Sequence, residues 1–281
     1  ADPDGYGQGV RSLCQTLSGE NWLIRSSVPI RAFRLFRLAL EMMRAVLVVF
    51  CVFPVCGDAA RLRLKARAAR RIIDALGIKL EADLSHAVPG ALIVANHISW
   101  VDIFVINAAL PSAFVAKEEV RHWPLIGWLA EKNDTVFLRR GSHGHARIIN
   151  REIAEILDRG NHVAVFPEGT TTDGTHLLHF HAALIQPALA VGRPVLPLAI
   201  SYWEADGSRS LAPGYVGDVS LMQCTVAIAG CRRLVARVTT CPVLGLAGED
   251  RRQVAVVARE AIGAGAGLAR HGMAEANRLQ V

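Results

Sequence analysis

The sequence predicts an α/β fold: a mixed, mostly parallel sheet flanked by helices, with a helical pair ahead of it. Short apolar runs recur from Ala91 to Tyr202, several entered or left through Pro or Gly. Between them lie stretches with helical spacing, as strands joined by crossover helices require. Polar and charged residues follow the runs, so the strand ends would converge on one edge of the sheet. The expected organisation is a loosely ordered N-terminus over 1–28, N-terminal helices over 29–78 and one enzyme-sized domain over 79–281.

In the N-terminal part, Leu35 to Phe53 reads as an apolar helix interrupted by Arg37, Glu41 and Arg44, and the uninterrupted run is only Ala45 to Cys56. Such a run spans about 18 Å as a helix against about 30 Å of bilayer hydrocarbon. Each central charge adds about 2.5–3.5 kcal/mol to insertion. Lying in or dipping into one leaflet is therefore favoured over a single span. Pro54 and Cys56-Gly57-Asp58 end this helix, and a second begins with Arg61, Arg63, Lys65, Arg67, Arg70 and Arg71 along it. Its basic heads are expected to snorkel to phosphates, and the positive-inside tendency places the domain on the cytoplasmic face of the (inner) membrane.

Further on, strands are expected at Ala91–Ala95, Ala113–Lys117, Thr135–Arg139, His162–Phe166 and Pro194–Tyr202. Helices are expected at Val101–Leu110, about His145–Arg159, Phe180–Val191 and Asp250–Ala264. Composition agrees with a membrane surface as partner: of 281 residues 52% are hydrophobic and the formal net charge is +6, with a mean hydropathy of +0.29. An anionic membrane surface or anionic substrates account for the charge. Nucleic acid does not fit, because the basic residues show no aromatic interleaving and no recognition-helix pattern. The six cysteines form no CxxC pair, which argues against zinc and a disulfide scaffold and for a reducing compartment. The first residues carry no basic segment followed by an apolar core, so no signal peptide is expected there.

The chemistry-bearing stretch is Asn96-His97-Ile98-Ser99-Trp100-Val101-Asp102, directly behind the first apolar strand. On a continuous helix a separation of five residues splays two side chains by about 140°. His97 is therefore placed in the non-helical approach, with Asp102 a turn inside the helix. There the carboxylate can fix the imidazole tautomer and leave the other nitrogen free as a base. Ser99 invites a nucleophilic role, but no GxSxG elbow occurs. Phe166-Pro167-Glu168-Gly169-Thr170-Thr171-Thr172 brings a carboxylate beside a glycine. Glu168 can accept from a substrate hydroxyl while the bare Gly169 backbone approaches closely, or cap the Thr170 to Thr172 amides. Arg139 and Arg140 would offer bidentate donors to an anionic head. Lys117, ending the second strand, is a candidate for neutralising an oxyanion. Asp173, His176, His179 and His181 match no standard zinc spacing, so no metal is expected.

The blocks at Asn96–Asp102, Thr135–Gly141, Phe166–Thr172 and Val195–Ala199, in this order, resemble the glycerolipid acyltransferase family over about Pro89 to Trp203. The resemblance implies an O-acyltransferase of membrane lipid biosynthesis in which His97 and Asp102 form the HX4D motif and the acyl group passes directly, without an acyl-enzyme. It implies acyl-CoA or acyl carrier protein as donor, no cofactor, and a lysolipid as acceptor, 1-acyl-glycerol-3-phosphate giving phosphatidic acid. It also implies an acceptor-binding turn at Glu168, Gly169 and Thr170, and a membrane-docking role for the N-terminal helices. Two departures bear on the acceptor. Thr171 stands where phosphatidate-forming relatives usually carry arginine, and His179-Phe180-His181-Ala182-Ala183 lacks a basic residue usual there. Both point toward lyso-ornithine lipid or another lysolipid as the alternative. An inactive lipid-binding protein and a thioester hydrolase are the alternatives of other classes.

Overall fold

The computed structural model describes residues 26–138, 143–245 and 249–268. Helix α1 (Val28–Cys51) leads through a 3₁₀ turn (Phe53–Val55) to α2 (Asp58–Leu76), followed by β1 (Ile78–Asp83) and β2 (Leu92–Ala95). Next come α3 (Asp102–Ala109), β3 (Ser112–Lys117), α4 (Glu118–Arg121), α5 (Ile126–Lys132), β4 (Val136–Leu138), α6 (His143–Asp158) and β5 (His162–Val165). The chain closes with α7 (Gln186–Ala190), β6 (Val195–Trp203), α8 (Leu221–Gly230), β7 (Leu234–Thr240) and α9 (Arg251–Gly265).

The strands form one sheet in the order β1-β7-β6-β2-β5-β3-β4. Every pairing is parallel except β6 with β7. β2 is central, and its alternation builds both layers of the core. Ile93 and Ala95 pack toward α2, α3 and α8, whereas Leu92 and Val94 pack toward α6, α7 and α9. That is why the strand reads as a continuous apolar run rather than an alternating one. Each fully buried aliphatic side chain in it contributes about 1.5–3 kcal/mol.

Several expectations are corrected. The helix foreseen over Phe180–Val191 is a 3₁₀ turn at Ala182–Leu184 followed by the short α7. Pro187 lies in the first turn of α7, where its missing N–H is harmless; within a longer helix it would break the ladder. α3 begins at Asp102 itself, so the carboxylate stands at the first helical position rather than a turn inside. α1 starts well before Leu35. Its Arg34 donates to Ala229 O, Cys231 O and Arg232 O at the end of α8. α2 is not a lipid-facing strip of basic heads throughout. Lys65 is buried and donates to Ser112 O at 3.2 Å and Asn133 O at 3.1 Å, while Ile73 and Leu76 join the main core. Burial lowers the Lys65 ammonium below its ordinary value. β1, α8 and β7 had no counterpart in the sequence reading.

Candidate active site

β2 ends at Ala95 and the chain must leave the sheet to reach α3. Asn96 makes the departure possible. Its side-chain amide donates to Ile200 O at 3.0 Å and accepts from Ile200 N–H at 2.8 Å, so it serves β6 as one more peptide of β2 would. His97 then stands clear of the ladder with its Nδ1 2.9 Å from Asp102 Oδ2. The same oxygen accepts from the N–H groups of Ile98 at 2.7 Å and Ser99 at 2.9 Å. Oδ1 accepts from the Tyr202 hydroxyl at 2.6 Å. Asp102 is fully buried, and a buried carboxylate is tolerated when it is met by donors in this way. An ionised carboxylate only accepts, so Nδ1 carries the imidazole proton and Nε2 is left as the basic nitrogen. The ring stacks on Phe166 with centroids 3.9 Å apart, and the side chain keeps 20% of its surface exposed. Those are the properties of a base that is held on one side and open on the other.

The backbone of His97 is gripped as firmly as its ring. Its N–H donates to Glu168 Oε1 at 3.0 Å, and its carbonyl accepts from Thr172 N–H at 2.8 Å. Glu168 Oε2 accepts from Leu178 N–H at 2.9 Å. Glu168 is buried; its carboxylate faces neither the Thr170 to Thr172 amides nor an open turn but ties the base loop to the segment after β5. Burial pushes its carboxyl above the usual range, opposed by the two backbone donors. Gly169 adopts φ +70°, a left-handed conformation that suits glycine, while Thr170 is exposed. Thr171 Oγ1 donates to Tyr215 O. Gly174 also sits at positive φ, and a Cβ there would lie 2.9 Å from Ile98 Cδ1, so the turn packs directly on the His97 loop.

Other foreseen residues are placed as follows. Lys117 is exposed at the end of β3. By register Phe114 and Ile93 both pair with Ala164, which sets Lys117 level with Asn96 two strands, or about 10 Å, away. Arg139 and Arg140 lie outside the described residues. Asp173 Oδ1 and His176 Nδ1 stand 3.4 Å apart on the loop beside the site. His176 and Thr175 hold the Asp173 carboxyl well below the usual carboxylate range, and Asp173 raises the His176 imidazole. Sequence reasoning missed Tyr202 as part of the site. The available signal was a tyrosine inside a buried strand, whose hydroxyl requires a partner.

A family model described as Acyltransferase matches residues 79–201. The chain is 39% identical over 197 residues to 1-acyl-sn-glycerol-3-phosphate acyltransferase of Neisseria meningitidis, an alignment covering 68% of this chain and 76% of that protein. The chain belongs to the glycerolipid acyltransferase family. Lyso-ornithine lipid O-acyltransferase of Pseudomonas aeruginosa is 43% identical over 169 residues, covering 60% of this acyltransferase and 65% of the relative. The crystal structure of the 1-acyl-sn-glycerophosphate (LPA) acyltransferase PlsC from Thermotoga maritima superposes with a TM-score of 0.62 at 22% identity, covering 84% of this chain and 96% of that one. That likeness shows the shared fold.

Proposed function

We propose that this acyltransferase moves a fatty acyl group from acyl-CoA or acyl carrier protein to the free hydroxyl of 1-acyl-glycerol-3-phosphate, giving phosphatidic acid. The observation that carries the reading is the His97–Asp102 pair with its free Nε2. Nε2 takes the hydroxyl proton as that oxygen attacks the thioester carbonyl and a C–O bond forms. Asp102 stabilises the imidazolium. The tetrahedral intermediate then collapses, the C–S bond breaks, and the leaving thiolate takes the proton back from His97. No acyl-enzyme is needed, and Ser99, fully buried with its hydroxyl 3.7 Å from Cys224 Sγ, is poorly placed to form one. Glu168 and Thr172 hold the base loop, Gly169, Thr170, Arg139 and Arg140 are assigned to the acceptor side, and Lys117 to the developing oxyanion.

The enzyme works at the cytoplasmic face of an anionic membrane. α1 supports this, with Phe33, Phe36, Leu40, Met43, Leu47 and Phe50 all exposed along it. The Val28–Val55 segment is long enough to cross a bilayer and contains an 18-residue stretch with a mean hydropathy of 2.1. Its attachment along α2 and α8 favours an in-plane, monotopic position over a span. A second acceptor, lyso-ornithine lipid, is favoured by Thr171, whose hydroxyl is spent on Tyr215 O where an arginine would meet a phosphate.

The test incubates membranes containing the enzyme with labelled acyl-CoA or acyl carrier protein and either 1-acyl-glycerol-3-phosphate or lyso-ornithine lipid. Labelled phosphatidic acid is expected, and its loss by at least a thousandfold in His97→Ala with the fold retained. Label in ornithine lipid alone transfers the activity to the second acceptor; free fatty acid alone makes the enzyme a hydrolase.

A further inference from the structure

Asp102 has two oxygens, and they are used differently. Oδ2 faces the His97 ring and the Ile98 and Ser99 amides, all within its own loop. Oδ1 is met by Tyr202, 100 residues away on β6. The carboxylate is planar and its two oxygens turn together about the Cβ–Cγ bond, so a donor that holds Oδ1 from outside the loop also holds Oδ2 in place. We propose that Tyr202 is a positioning residue for acyl transfer: its hydroxyl locks the Asp102 carboxylate in the plane that directs Oδ2 at His97 Nδ1. The inference rests on His97 being the base.

Three features suit Tyr202 to this role. It is 1% exposed and belongs to the main core, so its ring cannot swing away. β6 pairs with β2 through its first half and with β7 through the half that carries Tyr202, whose carbonyl also accepts from Ser210 N–H at 2.8 Å, which makes it a rigid support. Burial and the adjacent Asp102 charge push its hydroxyl well above the ordinary tyrosine value, so it remains a donor throughout the working pH range. The other titratable groups around the pair are His97, Glu168 reached through the His97 loop, and the Cys224 thiol of α8, which burial pushes up. An unbroken line then runs from a central strand to the catalytic nitrogen: Tyr202 Oη to Asp102 Oδ1, across the carboxylate, and from Oδ2 to Nδ1. Removing the hydroxyl makes the carboxylate more electron-rich and less fixed. The first effect favours protonated His97 and moves the acid limb of activity to higher pH, and the second lowers turnover.

The test is Tyr202→Phe, assayed as the full chain in membranes over pH 5–9, with kcat, KM and the pH profile of kcat/KM measured beside wild type and His97→Ala. A fall in kcat of about tenfold or more is expected, with KM for the lysolipid unchanged and the acid limb moved up by about 0.5 pH unit or more. The limb's position is independent of how much enzyme is folded, so it reads the inference even if the variant is less stable. Wild-type kcat and an unmoved limb in Tyr202→Phe overturn the positioning role, as does a loss of stability alone. An active His97→Ala would instead overturn the assignment of the base on which the role depends.

Discussion

Glu168 shows how a single carboxylate can fasten two loops at once. A carboxylate beside a glycine at a strand end invites contact with substrate, but this one is closed over by the loop it holds, with one oxygen on His97 N–H and the other on Leu178 N–H. Glu168→Gln keeps the shape and one acceptor while turning an NH₂ toward a backbone donor. One buried N–H then lacks a partner, which costs about 1–3 kcal/mol. Thermal unfolding of this variant is expected to shift down accordingly, with turnover falling at least about tenfold because the base loop loosens. An unchanged melting temperature with lost acceptor affinity would return Glu168 to direct substrate contact. The His97–Asp102 contact itself was legible in the sequence, because the two residues lie five positions apart across a strand-to-helix turn. Tyr202 was not, since nothing at position 202 announces a partner at 102.

The same division holds among the elements. β2, β3, β5 and β6 were readable because central parallel strands bury both faces and so appear as continuous apolar runs. β1 and β7 were not. β1 is an edge strand with a mostly half-buried or exposed pattern, and β7 carries Arg237 in mid-strand, 3.2 Å from Glu81 of β1. That pairing joins residues 156 positions apart and leaves no local trace. In the turn following β5 the organising contact is the Asp173–His176 pair. Asp173 is depressed, so its contribution to stability is present above the unfolded carboxylate value and lost as pH falls through the lower folded one. His176 is raised, so its contribution is full below about 6.5 and lost as pH climbs through the folded value. The turn is thus tightest between those limits, in mildly acidic solution. NMR titration should place the His176 midpoint above an ordinary histidine, and Asp173→Asn should bring it back down. Identical midpoints in the two proteins would remove the ion pair as the turn's fastening.

For the molecule as a whole, α1 and the sheet behave as one body, because Arg34 fastens the helix to the carbonyls that end α8 while the opposite face carries the apolar stripe. Placing glutamate at Phe36 and Met43 is expected to cut co-sedimentation with anionic phospholipid vesicles at least about tenfold, since each charge opposes transfer by about 2.5–3.5 kcal/mol at full depth. Far-ultraviolet circular dichroism should stay unchanged. Undiminished vesicle binding would place the lipid contact elsewhere. The two halves of the core also depend on a residue that takes no part in chemistry. Asn96 lends β6 the donor and acceptor that the departing backbone withholds, within an interior where Ile200 has no solvent to turn to. Loss of that amide orphans two buried peptide groups at about 1–3 kcal/mol each, a large part of the stability of a typical domain. Cells would register the defect as a scarcity of enzyme cleared by proteolysis.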